Sequence, residues 1–324
     1  MTILVTGAAG FIGSSVSRAL LERGTRVIGL DNLDPYYDVK LKQARLDRLA
    51  RLPGFTVERL DVADGPAMLD LVRRHPGIEG VVHLAAQAGV RYSLVNPYAY
   101  VRTNVQGHLA LLEACRTMKT LRHLVFASTS AVYGANTKLP FATEDRVDSP
   151  ISVYAATKRS AELLSHTYAH LFAIPQTGLR FFTVYGPWGR PDMAAFIFTR
   201  KILAGEPIDV FNNGDMRRDF TYIDDITAGV VAALDRPPAG PGVPLRLYNL
   251  GNSRVEPLMR FIEILQDALG KKADIRFGPM QAGDVQATSA DIGPAMQDLG
   301  FAPRTSIAEG LPRFVGWYRS YYGA

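Results

Sequence analysis

The sequence predicts an α/β fold: a doubly wound parallel sheet joined to a smaller α/β unit in the C-terminal part. Three observations predict it. Short β-branched runs alternate with longer amphipathic stretches as far as about residue 185. The strand-length runs are apolar on both faces, the pattern of parallel strands covered by helices. A glycine-rich turn stands between the first strand and the first helix.

In chain order, residues 3–6 read as a strand, 11–23 as a helix ended by Gly24, and 27–30 as the next strand. GVVHL (80–84) and LVFA (124–127) are buried strands, with a helix over 105–118 between them. A helix over 157–172 and a strand over 177–181 follow. After Pro187, Gly and Pro become frequent and the alternation breaks. Further helices are expected at 258–269 and near 313–321. The stretch 221–251 again reads as helix plus strand and is expected to rejoin the first sheet. This gives one unit of residues 1–185 plus about 221–255, and a second of about 186–220 plus 256–324.

Composition narrows the function. Hydrophobic residues make up 47% of 324, which excludes a disordered chain. Lys and Arg exceed Asp and Glu by 36 to 31, a net charge of +5 with no basic block. That gives no argument for nucleic acid and suits a small anionic ligand. The one cysteine, Cys115, lies in the apolar stretch LALLEACR and reads as helix packing. A reducing, cytoplasmic setting is expected, without a membrane partner, because no apolar run reaches the ~18 residues of a span. The six histidines show no metal-ligand spacing, so no metal is expected.

TGAAGFIG places Gly7, Gly10 and Gly13 between strand and helix. Gly7 would permit the tight turn, Gly10 a close backbone approach to a pyrophosphate, and Gly13 close packing of helix on strand. The helix N-terminus would then face the phosphates. Asp31 ends the second strand, where a carboxylate accepts from ribose hydroxyls and repels a 2′-phosphate. The expected cofactor is therefore NAD, and the sheet is of Rossmann type. Asp31 could also simply initiate the turn DNLDP. Asp61 and Val62 follow the third strand and could border an adenine edge.

Tyr154 and Lys158 are four apart in VYAATKRSAE, on one helix face. A cation ~4 Å from a phenolate stabilises it by about 4 kcal/mol at an effective dielectric of ~20. Such a pair can act as a general base near neutral pH. Thr129, in the hydroxyl-rich STSAVYG, can exchange a hydrogen bond at the reacting oxygen.

Taken together, TGAAGFIG, HLAAQAGVRYS, STSAVYG, YAATK, FFTVYGPWGRPDM, GDMRRDFTYIDD and QAGDVQATSAD resemble the extended short-chain dehydrogenase/reductase family along essentially the whole chain. Within it the likeness is greatest to UDP-glucuronate 4-epimerases. The resemblance implies interconversion of UDP-glucuronate and UDP-galacturonate through a transient 4-keto sugar, with Tyr154, Lys158 and Thr129 catalytic. It implies cofactor contacts from Phe11, Ile12, Asn32, Leu84, Ala85, Ala86 and Asn104. It implies a UDP-sugar held by Arg91, Ser130, Thr183, Arg190, Val210, Phe211 and Arg218, with Arg190 and Arg218 on the diphosphate. It also implies a homodimer built on the helices 105–118 and 157–172.

Two absences separate the relatives. The family's 4,6-dehydratases carry an Asp-Glu pair where Ser130 and Ala131 stand, and its decarboxylases a glutamate at the Ala131 position. Ala131 also departs from the serine usual in the glucuronate branch. The readings left open are another UDP-sugar 4-epimerase, a decarboxylase, and an NAD-binding regulator without turnover.

Overall fold

The computed structural model describes residues 1–281 and 283–324. These form strands β1 (Thr2–Thr6), β2 (Arg26–Leu30), β3 (Phe55–Glu58), β4 (Gly80–His83), β5 (His123–Thr129), β6 (Gln176–Phe181), β7 (Thr183–Tyr185), β8 (Ile208–Val210), β9 (Arg217–Tyr222), β10 (Leu245–Leu250), β11 (Val255–Pro257) and β12 (Ile275–Phe277). Seven of them make one sheet in the order β10-β6-β5-β4-β1-β2-β3, every neighbouring pair parallel. The order reverses between β1 and β4, and ligand crevices open at such a switch point beyond the carboxyl ends of the strands.

Side-chain alternation along a strand feeds two cores. Ile3 and Val5 of β1 join one cluster, with Val27, Val82, Val125 and Leu179. Leu4 between them joins the other, with Ile28, Val81 and Leu124. Each face is covered by helices, so the central strands are buried on both sides, while the edge strand β3 is not. β10 does return to this sheet, against β6. Thr183–Tyr185 does not: it pairs with β9, which pairs in turn with β11. The short β8–β12 pair stands apart.

Helix boundaries depart from the sequence reading where side chains intervene. The helix expected at 157–172 begins at Val153, because the Ser152 hydroxyl accepts from the Ala155 amide and caps it. The helix expected at 105–118 is α-helical only over Gly107–Thr117 and is preceded by a π-helical turn, Val101–Gln106. The C-terminal helix runs from Ile307 to Tyr322, longer than expected, since a Ser306–Glu309 capping box starts it and Pro312 is tolerated in its first turns. Val39–Ala50, which the sequence reading passed over, is a helix burying Leu41, Arg45, Leu46 and Leu49.

One buried ion pair locks the carboxyl ends of β5 and β6 to the helix Val153–Phe172. Arg180 of β6 donates through Nε and Nη2 to the two Glu162 oxygens at 2.9 and 3.0 Å, both side chains 1% exposed. Ser128 of β5 donates to the same carboxylate at 2.6 Å. Burial works against the Glu162 carboxylate, yet these donors hold its pKa below the ordinary value. Because the folded pKa is depressed, the stabilisation is complete above the unfolded value and is lost as pH falls through the folded one. Arg180→Met, which leaves the buried carboxylate short of its main partner, is expected to cost about 3–5 kcal/mol in urea unfolding at pH 7. The loss should shrink at acid pH, where Glu162 is protonated.

Candidate active site

A cleft of about 430 Å³ opens over the carboxyl ends of the central strands. Its floor is the glycine turn. Gly7 sits at φ +71°, and a Cβ there would lie 2.7 Å from the Ala85 amide nitrogen. The carbonyl of Gly7 points back at the helix Phe11–Glu22, and Cβ atoms at Gly10 and Gly13 would approach that oxygen to 2.9 and 2.0 Å. The sequence reading is corrected here: Gly13 admits the turn's own carbonyl rather than a neighbouring strand. No side chain caps the helix, so the first-turn amides at its start have no side-chain acceptor, and Phe11, Ile12 and Gly13 line the cleft.

Asp31 combines the two roles weighed from sequence. It lines the cleft, and it also accepts from the Ala9 amide at 3.0 Å and the Leu33 amide at 2.9 Å. Asn32, Asp61, Val62, Leu84, Ala85 and Ala86 line the same half. Asp61 is tied to Arg102 at 2.7 Å. Asn104 is absent from the lining; its amide is engaged by the Gln87 backbone in both directions and by the Thr157 hydroxyl. It braces the wall loop against the helix that carries Tyr154.

In the other half, Thr129, Ser130, Ala131, Tyr154, Lys158 and Thr183 line one continuous wall. Thr129 ends β5, where its hydroxyl accepts from the Ala131 amide at 3.2 Å and lies close enough to Tyr154 to pull the phenol's pKa down. The Tyr154 ring meets Tyr100 edge-on at 5.9 Å, and the Tyr100 hydroxyl donates to the carbonyls of Ala88 and Gly89. Burial raises the Tyr154 pKa; the Thr129 hydroxyl and the Arg190 guanidinium pull it back. The expected pull from Lys158 is not among these influences. Lys158 is itself buried, and loss of hydration lowers its pKa to about 8.

Arg190 and Arg218 both reach the cleft, each already paired. Arg190 Nε donates to Asp192 at 3.0 Å, and Asp192 also accepts from the Tyr36 hydroxyl. Arg218 Nη2 donates to Asp284 at 2.7 Å. Three expected sugar-nucleotide contacts fall outside the lining. Val210 is fully buried in the core, and Arg91 lies over the Phe211 ring at 4.9 Å, so cation and ring engage each other. Sequence reasoning missed Lys42, Thr103, Met193, Asp284 and Thr288 as lining residues, and Tyr36 and Tyr37 line the cleft as well. The signal for Lys42, Tyr36 and Tyr37 lay in DNLDPYYD, whose Asp and Asn side chains bond amides two residues on and fold the loop inward. Among the described residues, no group of three or more His, Cys, Asp or Glu side chains could hold a metal. No described helix is long and apolar enough to cross a membrane.

Residues 3–251 match the family model described as NAD dependent epimerase/dehydratase. The chain belongs to this family. It is 47% identical to UDP-glucuronate 4-epimerase 6 of Arabidopsis thaliana over 335 residues, 100% of this chain and 72% of the relative. It superposes on UDP-glucuronic acid 4-epimerase of Bacillus cereus, solved with UDP-glucuronic acid and NAD, with a TM-score of 0.91 and 36% identity over 99% and 100% of the two chains. A UDP-glucose 4-epimerase of Thermotoga maritima, solved with UDP-glucose, gives 0.89 and 32% over 99% and 100%.

The residues fit the family's dinucleotide. An uncapped helix N-terminus behind a glycine turn suits a diphosphate, and a carboxylate at the end of β2 suits ribose hydroxyls. Lys158 stays cationic only below about pH 8. The affinity for NAD, titrated calorimetrically from pH 6 to 10, is expected to weaken as pH rises through about 8. In Lys158→Met the same titration should be flat over that window.

Proposed function

We propose that this chain epimerises carbon 4 of a UDP-uronic acid, interconverting UDP-glucuronate and UDP-galacturonate with NAD as resident cofactor. The observation that carries the reading is the wall Thr129–Ser130–Ala131–Tyr154–Lys158–Thr183: a base tyrosine beside hydroxyls, with no carboxylic acid at the strand end. The dehydratase and decarboxylase readings need an acid at positions 130 or 131, and Ser130 and Ala131 supply none. The names of the relatives support the uronate.

The cofactor would lie on the glycine turn, with Asp31 at its ribose and Lys158 at the catalytic end. When bound, it supplies a reversible two-electron acceptor for the sugar carbon. Tyr154 must first give up its own proton; as the phenolate it takes the proton of the 4-hydroxyl and returns it after the sugar has turned its other face. The Thr129 hydroxyl beside that phenol favours its anion. Lys158 adds positive charge while it remains protonated. Arg190 and Arg218 exchange Asp192 and Asp284 for the diphosphate, whose oxygens match the guanidinium fork. The hydroxyls of Ser130 and Thr183 face the sugar's carboxylate and hold it away from the geometry in which a β-keto acid loses carbon dioxide.

A uronate is favoured over a neutral hexose because position 183 carries a threonine hydroxyl where UDP-glucose epimerases of the family usually carry asparagine. The test is incubation with UDP-glucuronate and NAD, then separation of products. UDP-galacturonate is expected; a UDP-pentose would indicate decarboxylation, and no product from any UDP-sugar would leave a regulator. Tyr154→Phe is expected to keep its NAD and lose at least ~10²-fold in turnover. Near-normal turnover would remove Tyr154 from the base role.

We also propose that the enzyme works as a homodimer in the cytoplasm. The helices Gly107–Thr117 and Val153–Phe172 leave Leu109, Leu163, Leu171 and Phe172 between 38% and 62% exposed, an apolar face suited to a second copy. Light scattering is expected to give the mass of two chains. Leu163→Glu with Leu171→Glu should give one.

A further inference from the structure

Arg45 is the second-chemistry residue that the mechanism leaves unused. It projects from the helix Val39–Ala50 and is 1% exposed. It forms no ion pair among the described residues, although buried guanidinium groups are ordinarily matched to a carboxylate. All its hydrogen bonds go to neutral oxygens. Nη1 donates to the carbonyl of Ala9 at 3.0 Å and to the Tyr37 hydroxyl at 2.7 Å. Nη2 donates to the carbonyls of Trp188 at 2.6 Å and Gly189 at 3.1 Å. One fork therefore joins the glycine turn to the two residues that lead into Arg190.

That second segment needs holding. Trp188 has φ +66°, a left-handed conformation unfavourable for a bulky side chain. Its ring is covered by Arg48 at 4.3 Å and packed on Trp317 and Tyr321 at 5.3 and 5.1 Å. Those contacts fix the indole. The Arg45 fork fixes the carbonyls, and so the direction in which the chain delivers Arg190. A lysine could not span all of these acceptors, because an ammonium is a point donor.

We propose that Arg45 is a positioning residue for the substrate diphosphate: it aims Arg190 into the cleft by holding the Trp188–Gly189 backbone against the glycine turn. The inference rests on the reading that Arg190 binds the diphosphate.

The experiment titrates UDP into NAD-loaded protein by calorimetry, with thermal midpoints recorded alongside. Arg190→Met is expected to weaken UDP by about tenfold or more, the loss of a charge-assisted fork. Arg45→Met should weaken it by a similar factor, and the double variant no further than Arg190→Met alone, because both act through one group. Arg45→Lys should fall between wild type and Arg45→Met, and it carries the test if Arg45→Met does not fold. A lowered midpoint with unchanged UDP affinity in the Arg45 variants would mean a purely structural role and overturn the proposal. Factors that multiply in the double variant would overturn it too. No effect of Arg190→Met alone would instead overturn the diphosphate assignment of Arg190, and the proposal with it.

Discussion

The cleft depends on one close contact, the Gly7 carbonyl pressed against the start of the helix Phe11–Glu22. No Cβ fits at Gly13 without moving that oxygen, and Gly7 itself has a backbone conformation and a neighbour, Ala85, that exclude a side chain. The contact draws the helix N-terminus down onto the switch point between β1 and β4 and leaves its amides bare. Asp31 then secures the turn through the Ala9 amide, while Arg45 secures it through the Ala9 carbonyl. The two charges grip opposite sides of one residue. A floor with this little slack allows walls contributed by distant segments to meet at a fixed distance from it.

The walls themselves are held by charge in two different ways. Behind the strand ends, Glu162 and Arg180 are buried together and saturated, so they are a permanent brace. At the cleft surface, Asp192 and Asp284 pair with Arg190 and Arg218, in part exposed to solvent. The surface pairs keep the arginines extended toward the cleft and cost less to break, because solvent can take up the carboxylates. Position in the fold, rather than residue type, distinguishes scaffold ion pairs from exchangeable ones.

How much of this the sequence disclosed follows the range of the interactions. The parallel sheet, the glycine turn and the spacing of Tyr154 and Lys158 are local patterns, and they could be read directly. The return of β10 was legible because the helix-plus-strand pattern recurs over 221–251, whereas the order of the strands came only from the structure. Asn104, Val210 and Arg91 lie outside the cleft lining, because a motif names a neighbourhood and not the direction of a side chain. Asn104 turns to Gln87, Val210 turns inward, and Arg91 meets Phe211. Asp284 and Arg45 gave no signal, since their significance exists only once segments far apart in the chain are brought together.

The phenol of Tyr154 shows why position outweighs spacing. At four residues' separation, a simple Coulomb estimate credits Lys158 with about 4 kcal/mol toward the phenolate. That estimate assumes a fully charged lysine and a phenol that loses no hydration. Here burial opposes the anion and the cation alike, raising the Tyr154 pKa and bringing that of Lys158 to about 8. Burial therefore works against both charges, and Lys158 is not among the influences that lower the Tyr154 pKa. What remains on the favourable side is the Thr129 hydroxyl beside the phenol, and Arg190, which belongs to the substrate half. The resting chain therefore keeps its tyrosine protonated, and its ionisation is tied to the same arginine that the Arg45 fork directs. Proton transfer and ligand placement share a residue, so a change that redirects Arg190 reaches the chemistry as well as the binding.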